Sequence, residues 1–279
     1  LTCIGVTDNV RQVPKTSRSF SPAVIAPTFN NAQTVRTIID GVIALNLQVF
    51  VVDDGSTDQT AQILADLAKN PAVVIVTHPA NRGKAAALDS GFAAAETAGF
   101  THAATIDTDG QLDPADLPAL LEAARQSPTS LIVGIRDESA PDYPARSNIG
   151  RRISNFLVWL ECGLRVDDSQ CGLRVYPLSL VRFVQCRAGR FGFETEIITR
   201  AGWAGCDVHG VPVSCRYQLP AGRVSHFRPW IDSFRAVAMH FCLLGRTLLP
   251  LEHEKWRGRV TQRELEMLQP AAHAFSSSR

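Results

Sequence analysis

Short apolar runs alternate with helical stripes through the first half of the chain. Ala23–Pro27 (AVIAP), Gln48–Val52 (QVFVV), Ala72–Thr77 (AVVIVT), His102–Ile106 and Leu131–Ile135 read as strands, apolar enough to be buried on both faces. The stretches between them carry helical spacing. Asn31–Leu45 sets Val35, Ile38, Ile39 and Val42 on one stripe. Ser56 or Thr57 caps a helix that runs through Leu67, an Ala-rich helix spans Lys84–Ala98, and Asp113-Pro114 supplies a cap and a first-turn proline for the next. This β-α-β-α rhythm predicts an α/β domain with a mainly parallel, doubly wound sheet.

The pattern changes after Arg136. Arg146–Leu164 is amphipathic, with Ile149, Ile153, Phe156, Leu157, Leu160 and Leu164 on one face. Glu194–Trp203 predicts another helix and Val208–Val213 a strand. Trp230–Leu249 is a long amphipathic helix with Trp230, Phe234, Val237, Phe241, Leu244 and Leu248 on its apolar face, and Pro250 ends it. The chain therefore divides into a leader over 1–20, one domain over 21–228, the amphipathic helix over 229–251 and a polar tail over 252–279. No run approaches the roughly 20 apolar residues of a spanning helix. The best stretch, 236–251, is interrupted by His240 and Arg246.

Composition narrows the class. Of 279 residues, 45% are hydrophobic and 20% charged, which excludes wholesale disorder and coiled coil. A net charge of +1 excludes a general nucleic-acid binder. Seven cysteines form no CxxC pair, so they read as buried or free thiols in a reducing compartment, without a zinc site or disulfide framework. The charge is unevenly placed. Residues 20–144 hold 6 Lys/Arg against 15 Asp/Glu, and residues 145–260 hold 17 against 9. An acidic first half suits a bound cation, and a basic second half suits phosphate or an anionic membrane surface.

Ligands of open α/β sheets bind at the carboxyl ends of the strands. Here those ends read Pro27-Thr28-Phe29-Asn30-Asn31, Asp53-Asp54-Gly55-Ser56 and Asp107-Thr108-Asp109-Gly110-Gln111. Carboxylates gathered on one rim repel unless something cationic lies between them. Asp107 and Asp109, two apart and followed by Gly110, suit one hard divalent ion, Mg2+ or Mn2+, with substrate phosphates as further ligands. No GxGxxG follows the first strand, Arg82-Gly83-Lys84-Ala85 lacks the remainder of a P-loop, and no Gly-x-Ser-x-Gly elbow occurs.

In this order, AVIAPTFNNAQTV, FVVDDGSTDQT, NRGKAAALDSG, IDTDGQLDP, VGIRD, DSQCGLRVYP, RFGFETEI and GRVSHFRPWIDSFR resemble the inverting family 2 glycosyltransferases of GT-A fold, in the dolichyl- or polyprenyl-phosphate mannosyl- and glucosyltransferase branch. The likeness spans about residues 22 to 235. It implies a nucleotide-sugar half, an acceptor half, and metal-dependent transfer of a sugar to a polyprenyl phosphate. It also implies a cytoplasmic protein, peripheral on the inner face of the membrane. Pro27, Phe29, Asn31 and Asp54 would line base and ribose, with Asp53 beside them. Asp107 would support the nucleotide-metal site, and Asp109 and Gln111 would hold the metal. Arg136 would contact phosphate, while Arg216 and a basic group among Arg223, His226 and Arg228 would close over the diphosphate. Asn31 stands where the family usually has Glu.

Such transfer builds negative charge on the leaving diphosphate, which a cation and Arg donors stabilise. A lipid phosphate acceptor needs positioning more than a base. A hydroxyl acceptor (lipid, glycan or secondary metabolite) needs a general base within reach. Asp168, with Gln170 beside it, is the favoured candidate, ahead of Glu194 and Glu196, whose place at a helix start equally suits the helix dipole. Arg151, Arg152, Arg223 and Arg228 could attract a phosphate headgroup, and the helix Trp230–Leu249 suits either the membrane interface or packing across the domain. A non-catalytic nucleotide-sugar-binding protein on the same scaffold is the rival from another class.

Overall fold

The computed structural model describes residues 20–137, 145–187, 189, 192–217, 229–249 and 256. The expected alternation forms. Strands β1 (Pro22–Thr28), β2 (Val49–Asp53), β3 (Val73–Thr77), β4 (His102–Thr105) and β5 (Leu131–Arg136) are linked by helices α1 (Val35–Ala44), α2 (Thr60–Leu67), α3 (Lys84–Thr97) and α4 (Leu117–Gln126). Then come α5 (Ala145–Cys162), β6 (Arg174–Pro177), α6 (Leu178–Val184), α7 (Phe193–Trp203), β7 (Val208–Val213) and α8 (Pro229–Leu248). The sheet order is β3-β2-β1-β4-β6-β5-β7. All neighbours are parallel except β6, which runs antiparallel between β4 and β5. Neither β6 nor α6 is among the predicted elements. Four residues of RVYP are too few to carry a period.

Strand alternation divides the core in two. Val24, Ala26, Val49 and Val51 pack with α1, α2 and α4, while Ala23, Ile25, Phe50 and Val52 pack with α3, α6 and α7. His102 lies in this interior and is neutral: burial pushes it down to about 4, only partly offset by its bond to the Pro128 carbonyl.

Helix α2 starts later than predicted. Ser56 and Thr57 do not cap it. Ser56 Oγ accepts from Asn30 N (3.0 Å), and Thr57 N donates to Asn30 Oδ1 (2.8 Å), so both residues stitch the end of β1 to the end of β2. Asp58 instead accepts from Thr60 N at 2.9 Å. Gly55, just before Ser56, has φ +75°, and a Cβ there would fall on the Ala80 backbone. Gly55→Ala is expected to cost about 2 kcal/mol or more, from left-handed strain plus that clash, read as a lowered thermal unfolding midpoint.

Helices α5 and α8 are turned the opposite way from what their stripes suggest. An apolar stripe normally marks the buried face. On α5 the buried residues are Arg151, Ser154, Val158 and Glu161, while Ile149, Ile153, Phe156, Trp159 and Leu160 are exposed. On α8 His240 and Leu243 are buried, while Phe234, Val237, Phe241 and Leu248 are exposed. Polar contacts fix both orientations. Glu161 accepts from Thr199 Oγ1 of α7 (2.8 Å) and pairs with His240 Nδ1 of α8 (2.6 Å), and its carbonyl takes Trp203 Nε1 and Thr247 Oγ1. Among the described residues, every exposed large apolar side chain lies on α5, on α8 or at Leu249 just after it. No described helix is long and apolar enough to cross a membrane.

Candidate active site

The ends of β1, β2 and β4 meet, as the sequence suggests, and hydrogen bonds join them. Asp54 N donates to Thr28 O (2.9 Å). Thr108 Oγ1 donates to Pro27 O (3.0 Å) and accepts from Asn31 Nδ2 (2.8 Å), while Thr34 Oγ1 donates to Thr108 O (2.5 Å). Pro27 and Asn31 are buried, Phe29 is half-buried, and the Oδ1 of Asn31 is buried without a hydrogen-bond partner. Asp53 Oδ1 accepts from Ser56 N at 2.9 Å, which shapes the turn at the second strand end.

Asp54 departs from its expected place. Its carboxylate is buried and accepts from Arg82 N (2.9 Å), Gly83 N (2.7 Å) and His78 Nδ1 (2.7 Å). With three donors and 3% exposure, the carboxylate is engaged by the protein's own groups. It clamps the Asn81–Gly83 turn and so fixes the start of α3. The next residue, Lys84, reaches both Asp107 Oδ1 and Glu194 Oε1, each at 2.6 Å. Burial alone would lower this ammonium's pKa; the two carboxylates outweigh burial and hold it well above the ordinary lysine value. Asp107, expected to support the nucleotide-metal site, thus meets an ammonium through its Oδ1. Nothing local in the sequence marks Lys84, because its partners lie far along the chain.

Asp109 is half-buried, and its Oδ1 accepts from Gln111 N at 3.0 Å. The side-chain Nε2 of Gln111 is buried with no hydrogen-bond partner. The Gln111 carbonyl accepts from Arg216 N (2.8 Å), and the Arg216 side chain pairs with Asp113 at 2.9 Å while remaining exposed. Arg216 therefore adjoins the DTDGQ turn. Arg223, His226 and Arg228 lie outside the described residues. Among the described residues no group of three or more His, Cys, Asp or Glu could hold a metal ion unaided.

Asp168 also departs from expectation. It is buried, and Arg136 meets it in a two-pronged pair, Nε to Oδ2 at 2.7 Å and Nη2 to Oδ1 at 2.9 Å. Arg151 adds a contact at 3.2 Å and Gln170 N one at 3.1 Å. Burial by itself would raise the Asp168 carboxyl, but these donors prevail and hold it below the usual carboxylate range. A carboxylate so placed is a weak proton acceptor, which speaks against the general-base role expected of it. Gln170 is exposed at the same turn. Arg151, expected to meet a headgroup, is instead 1% exposed, whereas Arg152 beside it is exposed. Glu196 is occupied too, by Arg200 Nε (2.6 Å) and Arg187 N (2.8 Å).

The turn between Asp168 and β6 is held by Arg174, a residue absent from the sequence-based site. Fully buried, it donates to the carbonyls of Ser169 (2.8 Å), Cys171 (2.6 Å) and Glu194 (2.5 Å). A buried guanidinium whose three nitrogens each donate to a backbone carbonyl fixes loop shape.

Residues 23–189 match the family model described as Glycosyl transferase family 2. The UDP-N-acetylglucosamine–dolichyl-phosphate N-acetylglucosaminyltransferase of Methanococcus voltae is 26% identical over 213 residues, covering 70% of this chain and 85% of that one. The dolichyl-phosphate beta-glucosyltransferase of Drosophila melanogaster is 25% identical over 248 residues, 80% of this chain and 75% of that one. Among solved structures, glucosyl-3-phosphoglycerate synthase from Mycobacterium tuberculosis, in complex with Mn2+, uridine-diphosphate and phosphoglyceric acid, superposes with a TM-score of 0.60. It is 20% identical, covering 83% of this chain and 80% of that one, a likeness of fold. With most of its sheet and all three joined strand ends inside the matched segment, the chain belongs to glycosyl transferase family 2 and is a glycosyltransferase.

Proposed function

We propose that the protein transfers a sugar, with inversion, from a nucleotide-sugar donor to a polyprenyl phosphate at a membrane surface. The observation that carries the acceptor is the reversed pair α5 and α8. Helix α5 presents Ile149, Ile153, Phe156 and Leu160 outward while its Arg151 is fastened to Asp168 and Arg136. One element thus has an apolar face in the open and its other face in the candidate site. Exposed Arg152 and Arg235 on the same two helices suit anionic lipid headgroups. The names of the Methanococcus and Drosophila relatives point to the same acceptor class.

Pro27, Phe29 and Asn31 are proposed to receive the base and ribose, with Asp53 shaping the turn beside them. Asp109 and Gln111 are proposed to hold Mg2+ or Mn2+. The fit rests on hard oxygen donors, the Asp109 carboxylate and the side-chain carbonyl of Gln111, brought together at one turn where Asp109 Oδ1 accepts from Gln111 N. The Mn2+ in the solved neighbour agrees with that choice. The cation, when bound, offsets charge on the departing diphosphate. Arg136 adds positive charge from the end of β5, and Arg216 adjoins the DTDGQ turn from the other side. No free carboxylate at Asp168 is required, because a phosphate acceptor is already ionised near neutral pH and needs orientation more than deprotonation.

A transfer assay tests this directly. Labelled UDP-, GDP- and dTDP-sugars are offered with Mn2+ or EDTA, and with polyprenyl phosphate in vesicles or soluble hydroxyl acceptors. Label partitioning into the lipid phase only with polyprenyl phosphate is the expected result. Label on hydroxyl acceptors alone, or no transfer from any donor, refutes it.

A further inference from the structure

Three charged side chains from distant parts of the chain meet behind the DTDGQ turn. Lys84 opens α3, Asp107 follows β4 and Glu194 stands in the first turn of α7. The trio carries one positive and two negative charges, is largely withdrawn from solvent, and leaves Glu194 Oε2 buried without a partner. Its lid is Gly172, where a Cβ would collide with Asp107 Oδ2 and lie 3.2 Å from Lys84 Nζ. The Gly172 carbonyl is held by Thr105 Oγ1 at 2.7 Å, so the lid does not give way freely. One oxygen of Asp107 is therefore taken by an ammonium and the other faces backbone that admits no side chain.

We propose that Lys84 is a positioning residue for the cation: by bridging Asp107 to Glu194 it withholds the first carboxylate of the DTD run, leaving Asp109 as the carboxylate that meets the metal. The two aspartates then have different tasks although they lie two residues apart. Without the ammonium, Asp107 and Glu194 repel each other, and Asp107 is free to turn toward the ion and displace the geometry set by Asp109 and Gln111. The Asp54 clamp on Gly83 N belongs to the same device, because it sets where α3 begins and hence where Lys84 projects. The inference rests on Asp109 and Gln111 as cation ligands, as proposed above, and adds what Lys84 does for them.

The test separates a positioning role from direct contact with the donor. UDP, GDP and dTDP are titrated calorimetrically in EDTA and in Mn2+, and the tightest is carried forward to the variants. The unmodified chain should bind it more tightly with Mn2+. Lys84→Gln should keep the EDTA affinity within about twofold and lose at least about tenfold of the Mn2+ gain, by the scale of one displaced charge contact. Gly172→Ala, with every charge in place, should show the same split. Lys84→Gln combined with Glu194→Gln restores the trio's net charge, so it guards against simple misfolding; it should fold and still lack the Mn2+ gain. A folded Lys84→Gln that keeps the gain overturns the proposal, as does one whose EDTA affinity falls tenfold, which would make Lys84 a direct ligand of the nucleotide. Absence of any Mn2+ gain in the unmodified chain would remove the cation reading itself, a different failure from loss of the Lys84 role alone.

Discussion

Asp109→Asn is expected to lower the rate of sugar transfer at saturating donor by on the order of 100- to 1000-fold, the cost of removing one aimed electrostatic contact from a transfer site. The reasoning starts from its position. Asp109 lies at the joined strand ends, half-buried, and its Oδ1 accepts a backbone bond from Gln111 N in shaping the turn. The Asn side-chain oxygen can take that same bond, so the turn should persist. What disappears is the negative charge proposed to draw a divalent ion between protein and diphosphate. The effect should therefore fall on activity and not on folding. Initial rates in Mn2+, together with a melting curve that moves by no more than a degree or two, check this. Retention of more than a tenth of the activity would place the cation elsewhere.

Asp168→Asn should do the reverse and fall chiefly on stability. The carboxylate lies between Arg136 and Arg151, with side-chain exposures of 0%, 16% and 1% in that order, so removing its charge leaves two guanidinium groups facing each other away from water. Breaking a buried pair by deleting one partner costs about 3–5 kcal/mol. For a chain of this size that corresponds to roughly 6–20 °C in unfolding midpoint. The pH dependence has a definite sign. Because the folded-state pKa of Asp168 lies below its unfolded value, its contribution is complete above the unfolded pKa of about 3.9 and fades as pH falls through the folded value. The unmodified protein should lose stability on acidification below about pH 5, and Asp168→Asn should lose less over that interval. Denaturant unfolding at a series of pH values from 7 to 3 measures both. Equal acid limbs would show that another group sets the slope.

Much of the fold is legible in the chain because it is local. The runs AVIAP, QVFVV and AVVIVT are apolar on both faces and bounded by turn residues, and they became β1, β2 and β3 in register from Val24 beside Val49 to Asp53 beside Thr77. The meeting of Pro27, Asp53 and Asp107 on one rim is equally legible, since parallel strands that begin on one side of a sheet must end on the other. The antiparallel β6 was hidden: it takes its place by pairing with β4 and β5, not by any pattern in Arg174–Pro177.

By itself the sequence determined the α/β class, the strand ends where polar side chains gather, and the family. Only the tertiary structure decided which carboxylates are available. Asp54, Asp107 and Asp168 look like Asp109 in a one-dimensional reading, yet each is engaged by a donor 23 residues or more away along the chain, Gly83, Lys84 and Arg136 in that order, and Lys84 is shared with Glu194. Periodicity likewise showed that α5 and α8 have two faces but not which one turns inward. That choice was made by Glu161, Thr199 and His240 finding one another, because a buried polar group must meet its hydrogen-bond partners.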